Sequence, residues 1–242
     1  AYAFVIALAY FMQRSFVYFP DTRPIAPDEA GLVDFKAVDI TSSDLTLKSW
    51  WHAPEASQPV VLMFHGNAAA LENRAFIMRD LQSWGFGVLG VGYPGYGGNA
   101  GNPSEANLIK TARANYDWLI QQGIDPNRIV IFGASLGSGV AMSLAPEVEA
   151  AGLVLEATFT GADDLGAKLM PLLPVKILAK DRWRNIDRAP DLKMPLSWYH
   201  GTRDEVIPFE MGKELFEAFP ARKCATVFKG GYHNDLWGRG AG

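Results

Sequence analysis

Cysteine is nearly missing: Cys224 is the only one in 242 residues, so no intrachain disulfide can form and no Cys-rich metal pattern exists. Histidine is also scarce, with four in the chain. None stands in an H-x-x-x-H or H-E-x-x-H spacing, so a metal hydrolase would have to gather His200, Asp204 and His233 from distant positions. An excess of one charge is lacking too. Lys and Arg number 22 against 26 Asp and Glu, a net charge of −4, and no basic face is available to neutralise a phosphate backbone, which argues against nucleic acid as a partner. There is no internal repeat, low-complexity tract or Gly/Ser linker, hence no support for a second independent domain. What is present is a chain 49% hydrophobic, enough for a packed globular core.

The longest apolar run, Ala1 to Met12, is shorter than the roughly 20 residues that span a bilayer, and Gln13 and Arg14 end it abruptly. The chain does not begin with methionine, so the run reads as the tail of a longer hydrophobic segment. Residues 1–12 are expected to mediate membrane association, with the side of the membrane undetermined. The alternative is a helix lying on the domain surface or on a neighbouring chain.

Further on, periodicity sets the architecture. Val33 to Ile40 and Leu45 to Trp51 alternate around Ser42-Ser43-Asp44 as a hairpin. Val60 to Phe64 is a continuous apolar run suited to a strand buried on both faces. Leu71, Phe76, Ile77, Met78, Leu81 and Trp84 recur at helical spacing up to Gly85, and Val88 to Val91 resume as strand. A helix from Pro103-Ser104-Glu105 to about Gln122, a strand at Ile129 to Phe132, a helix through Val140 to Leu144 and a strand at Leu153 to Leu155 follow. Pro195 to Tyr199, Phe209 to Phe219 and Ala225 to Phe228 repeat strand, helix, strand. This alternation predicts an α/β fold: a mostly parallel central sheet, an N-terminal antiparallel hairpin and helices on both faces. The stretch from about 160 to 190 breaks the rhythm and reads as a small cap insertion. The expected organisation is an anchor-like segment over 1–20 and one domain over 21–242.

Gly133-Ala134-Ser135-Leu136-Gly137 lies between an apolar strand and a helical pattern, the context in which a G-x-S-x-G run lifts a serine hydroxyl above the strand ends. Out of that context the same run is simply a helix-entry turn. The helix beginning beneath the serine offers the Leu136 N–H to a developing oxyanion. A second donor is expected from His65-Gly66-Asn67 after the strand ending at Phe64, with the N–H of Asn67 preferred and Ala68 a neighbour. A serine needs a base, and of His52, His65, His200 and His233 the last is best placed, in the loop Gly230 to Asp235. The third member must be a carboxylate that accepts the other imidazole N–H. Asp204 fits by position, with Glu205 adjacent and Glu156, after the strand ending at Leu155, as a rival or a supporting hydrogen-bonder.

These residues resemble the α/β hydrolases, and within them the membrane-anchored branch that includes lipid esterases and protein depalmitoylases. The resemblance covers nearly the whole chain. It rests on Phe64-His65-Gly66-Asn67-Ala68, Tyr93-Pro94-Gly95-Tyr96-Gly97, Pro103-Ser104-Glu105, the Ser135 motif, Gly201-Thr202-Arg203-Asp204-Glu205-Val206-Ile207-Pro208 and His233-Asn234-Asp235. The N-terminal run followed by Arg14 and Phe16-Val17-Tyr18-Phe19-Pro20 is similar to that branch's anchor. The order serine, acid, histidine is the one found in this fold. The chain departs from the pattern at Pro94, where arginine is usual, and at Asn99, near a usual serine. It also stops soon after His233, where the family continues into a final helix that Leu236-Trp237 could begin and Gly238 to Gly242 could not continue.

The resemblance implies an α/β-hydrolase fold and hydrolysis of a small-molecule or lipid acyl ester through an acyl-enzyme, without metal or organic cofactor. Tyr93 and the cap residues Leu169, Met170 and Leu173 are expected at the substrate, Leu172, Val175, Ile177 and Leu178 extending an acyl pocket; the alternative for that stripe is ordinary core. Two rival functions stay open, a peptidase or amidase on the same residues and a non-catalytic binding protein of the same fold.

Overall fold

The computed structural model describes residues 2–68 and 70–241. Its centre is an eight-stranded sheet in the order β1-β2-β4-β3-β5-β6-β7-β8. The strands are β1 Lys36–Ser42, β2 Leu45–His52, β3 Val60–Phe64, β4 Gly87–Gly90, β5 Ile129–Ala134, β6 Gly152–Glu156, β7 Leu196–Gly201 and β8 Lys223–Phe228. β1 pairs antiparallel with β2, and β2 with β4. Every pairing from β4 through β3 to β8 is parallel.

The continuous apolar runs are the strands buried on both faces. In β3, Val60, Leu62 and Phe64 join one hydrophobic cluster while Val61 and Met63 join the other, as the two-residue period requires. Helix α2 (Ala75–Ser83) packs on the second side, and α3 (Glu105–Gln121), α4 (Leu136–Leu144) and α8 (Phe209–Ala218) belong to the first. The expected first helix is really two pieces: Leu71–Arg74 forms a 3-10 turn before α2 begins. Phe76 and Trp84, counted on its apolar face, are exposed. At the start of α3 the Ser104 hydroxyl accepts the Asn107 N–H at 3.2 Å, an N-cap that satisfies a free donor of the first turn. β8 is one of the two edge strands, and its Cys224 is exposed.

Strand order reverses between β3 and β5, the first continuing to β4 on one side and the second to β6 on the other. A crevice at the carboxyl ends of the strands at such a switch point is where open α/β sheets bind ligands.

Two segments lie outside the sheet. Between β6 and β7 the chain inserts α5 (Ala162–Leu169), α6 (Val175–Leu178) and α7 (Asn185–Arg188). The apolar N-terminal run forms α1 (Tyr2–Val17), with Ala1 outside the described residues. Helix α1 rests on that insertion: the Tyr2 hydroxyl donates to the Leu172 carbonyl at 2.7 Å, the Gln13 amide to the Leu178 carbonyl at 3.2 Å, and Arg14 pairs with Asp181 at 2.8 Å. Among the described residues no helix is long and apolar enough to cross a membrane.

Candidate active site

The turn from β5 into α4 brings backbone against backbone. A Cβ on Gly137 would collide with the Phe64 carbonyl at the end of β3, and one on Gly133 with the Gly137 carbonyl. Glycine at both positions is therefore what lets α4 start tight against the sheet. Ser135 between them is held at φ 52°, ψ −119°, a conformation costing a non-glycine residue about 1–3 kcal/mol. It is tied down by its N–H to the Glu156 carbonyl at 2.9 Å and by its carbonyl, which accepts both the N–H and the hydroxyl of Ser138 at 2.9 and 2.6 Å. Every residue of α4 is buried, so packing over-determines the strained turn.

Ser135, His233 and Asp204 come together from three loops at the carboxyl ends of parallel strands. His233 Nε2 stands 3.1 Å from Ser135 Oγ, and its Nδ1 stands 2.8 Å from Asp204 Oδ2. The His233 side chain is 8% exposed and that of Asp204 is sealed. Burial works against the Asp204 carboxylate, but hydrogen bonds from His200 and His233 more than offset it and hold the group well below the usual carboxylate range. Its other oxygen accepts the N–H groups of Val206 and Ile207 at 2.9 and 2.7 Å. Glu205 touches the backbone of His233, accepting its N–H at 3.3 Å, and not the ring.

The rival Glu156 lies elsewhere. It is 2% exposed, accepts the Tyr199 hydroxyl at 2.9 Å and faces Arg74 at 3.7 Å, a buried polar cluster beneath the serine turn. His65 is fully buried against the Tyr93 ring, 4.0 Å between centroids. Burial pushes its imidazole down to about 4, so at neutral pH it is uncharged, and its Nδ1 donates to the Gly66 carbonyl at 2.8 Å. His52 sits at the end of β2, stacked on Phe35.

The loop after β3 lies beside the serine, since a Cβ on Gly66 would stand 3.4 Å from that of Ser135. No turn or loop hydrogen bond among the described residues uses the N–H of Asn67 or of Leu136. The Asn67 side chain is fully engaged: its oxygen accepts the Phe19 N–H and the Tyr96 hydroxyl, both at 2.9 Å, and its amide donates to the Val17 carbonyl. The segment leaving α1 thus fastens the loop that approaches Ser135. Asn99 clasps β2, accepting the Lys48 N–H at 2.7 Å and donating to the Lys48 carbonyl at 3.2 Å.

One substrate expectation is corrected. Tyr93 has no exposed surface and donates its hydroxyl to the His65 carbonyl at 3.1 Å, so it braces the loop and presents nothing to a solute. Leu169 and Met170 are 68% and 40% exposed and so lie outside the core, while Leu173 is half-buried. α5 ends at Leu169. Two further placements were not assigned from the sequence. His200, buried at the end of β7, reaches Asp204 at 3.1 Å; a histidine closing an apolar strand four residues before an acid was the available signal. Arg74 left no signal, because its partner Glu156 is distant in sequence. Among the described residues no cluster of three or more His, Cys, Asp or Glu could hold a metal ion; His200 and His233 both direct a ring nitrogen at one Asp204 oxygen.

Residues 55–184 match the family model described as serine aminopeptidase, S33. The α/β-hydrolase domain-containing protein WAV2 of Arabidopsis thaliana is 32% identical over 262 residues, covering 96% of this chain and 84% of that protein. Lysophosphatidylserine lipase ABHD12 of Danio rerio is 32% identical over 196 residues, 72% of this chain and 51% of that protein. Among solved structures, the Pyrococcus furiosus esterase Pf2001 superposes with a TM-score of 0.71 at 23% identity, covering 90% of this chain and 91% of that one.

Proposed function

We propose that this chain, which belongs to the α/β-hydrolase superfamily, is a serine-dependent esterase that cleaves carboxylic acyl esters through an acyl-enzyme. The observation that carries this reading is the unbroken run from Ser135 Oγ through the His233 imidazole to Asp204 Oδ2 at 3.1 and 2.8 Å. His233 takes the hydroxyl proton as Ser135 Oγ bonds to the acyl carbon, then returns it to the departing alcohol. Water attacks the acyl-enzyme in the second half, giving a proton to His233, which passes it to Ser135 Oγ as the bond to the acyl carbon breaks and the acid leaves. The N–H groups of Leu136 and Asn67 are assigned to the developing oxyanion, each donor contributing about 2.7–4 kcal/mol.

An acyl ester of lipid character is favoured by the lipase name of the zebrafish relative and by the apolar surface around the insertion, which we read as a cap over residues 160–190. A second reading, amide or peptide hydrolysis on the same residues, is favoured by the description of the matched family model. Matched ester and anilide substrates of rising acyl length separate the two. The expected result is ester turnover exceeding anilide turnover by at least about a hundredfold, a gap of some 2.7 kcal/mol in barrier, whereas comparable rates would reassign the chain to the amidases.

Membrane association belongs to the same proposal. Phe4, Phe11, Leu172 and Ile177 are each more than 70% exposed on α1 and the neighbouring insertion, a large apolar surface for a water-facing protein. In flotation with phosphatidylcholine vesicles the chain is expected to rise with the lipid, and Phe4→Glu with Phe11→Glu to remain at the bottom. A chain that stays monodisperse without detergent and ignores the vesicles would remove this part of the proposal.

A further inference from the structure

His200 closes β7 with no exposed surface. Its Nε2 stands 3.1 Å from Asp204 Oδ2 and 3.1 Å from the Ile207 carbonyl. Both are acceptors, so Nε2 is the nitrogen that carries the hydrogen. Its Nδ1 has no partner among the described residues. The ring is confined on every side: a Cβ on Gly212 of α8 would collide with Nδ1, and the rings of Trp198 and Phe209 stand 5.8 and 5.7 Å away between centroids.

Resting on the serine-hydrolase reading above, we propose that His200 is a positioning residue for the acid: its Nε2, donating to the Ile207 carbonyl, also lies 3.1 Å from Asp204 Oδ2, fixing that oxygen against His233 and sharing its charge. The backbone donors Val206 and Ile207 grip only Oδ1, which leaves the carboxylate free to swing its other oxygen. His200 Nε2, 3.1 Å from the oxygen that His233 also holds, limits that swing. An additional donor on Oδ2 also weakens the pull that Asp204 exerts on the proton His233 acquires during the reaction. The remaining charged groups near the pair belong to the same two loops: Glu205 accepts the His233 N–H at 3.3 Å and Asp235 the Tyr232 N–H at 2.8 Å. α8 brings Gly212 and Phe209 to the ring, neither of them charged.

The test is a comparison of His200→Leu, His200→Gln and His200→Asn with a soluble ester, measuring kcat and KM across pH after thermal melts establish folding. In His200→Leu, kcat is expected to fall about tenfold with KM unchanged, the size of a lost hydrogen bond to a charged group. The acid limb of kcat/KM should move to higher pH by roughly half a unit or more, because Asp204 then acts on His233 undiluted. Glutamine can carry an N–H to the place of Nε2 and should recover most of both properties; asparagine, whose N–H falls near Nδ1, should not. If Leu does not fold, the Gln and Asn pair decides. Wild-type kcat and pH profile in all folded variants would overturn the proposal, as would equal losses in Gln and Asn with an unmoved acid limb, the result of packing alone. Ser135→Ala run in parallel separates the two levels: hydrolysis surviving in that variant overturns the serine reading and this inference with it. A dead Ser135→Ala beside indifferent His200 variants overturns this inference only.

Discussion

Ser135→Ala is expected to lower kcat for an ester by about six orders of magnitude and to abolish labelling by a fluorophosphonate, with the fold unchanged. The loss is large because His233 then has a proton to accept from nothing: an acyl-enzyme cannot form, and what remains is the stabilisation supplied by the oxyanion donors and by binding, about 10³–10⁴ over water. Stability should move by no more than about 0.5 kcal/mol. Alanine keeps the Cβ, so the strain at φ 52° is the same in both proteins. The backbone bonds to Glu156 and Ser138 do not involve the hydroxyl, and only the contact with His233 is removed. A mutant that still labels would show that another residue is the nucleophile.

Asp204→Asn should lower kcat by up to about four orders of magnitude. With its oxygen in the Oδ1 place the amide can still accept from Val206 and Ile207, but its NH2 then faces the ring nitrogens of His233 and His200, both of which carry hydrogen in the wild type. His233 relieves the clash by shifting its hydrogen to Nε2, and a protonated Nε2 cannot accept from Ser135. Glu156→Gln should leave kcat within about tenfold and instead destabilise the fold by roughly 1–3 kcal/mol, since Arg74 loses its buried partner. The pH dependence of unfolding offers an independent readout. Because the folded Asp204 is held below its unfolded value, its contribution is complete above the ordinary carboxylate range near 3.9 and is lost as pH falls toward the folded value. Asp204→Asn should therefore lose stability less steeply with acid than wild type. An Asn variant as active as wild type, with Glu156→Gln impaired, would move the acid to β6.

The outcome at particular residues separates what the chain says locally from what it does not. Ser135 was legible because a strand, a turn and a helix are all local patterns, and the glycines at 133 and 137 mark the tight turn on both sides. The strands β3 and β5 were legible because double burial leaves no room for a polar residue in Val60–Phe64 or Ile129–Phe132. Tyr93 was misread: it stands in a recognisable loop, and nothing in Tyr93-Pro94-Gly95 tells whether an aromatic ring faces a substrate or the stacked His65 behind it. The exposure of Leu169 and Met170 was not legible either, because an apolar stripe at helical spacing specifies that a face avoids water without saying what covers it. The position of Asn67 after β3 marks its backbone N–H as a donor candidate, but nothing local marks its side chain as the fastening point for Val17, Phe19 and Tyr96.

The order and type of strands and helices, the serine turn and the short choice of imidazoles and carboxylates were thus determined by the sequence alone, since hydrophobic period and turn chemistry act over a few residues. Only the tertiary structure set Asp204 beside His233, Glu156 beside Tyr199 and Arg74, and His200 beside Asp204. Those choices depend on which strand ends the parallel sheet brings side by side and on which groups are sealed together without water, and both arise from contacts between residues far apart in the chain.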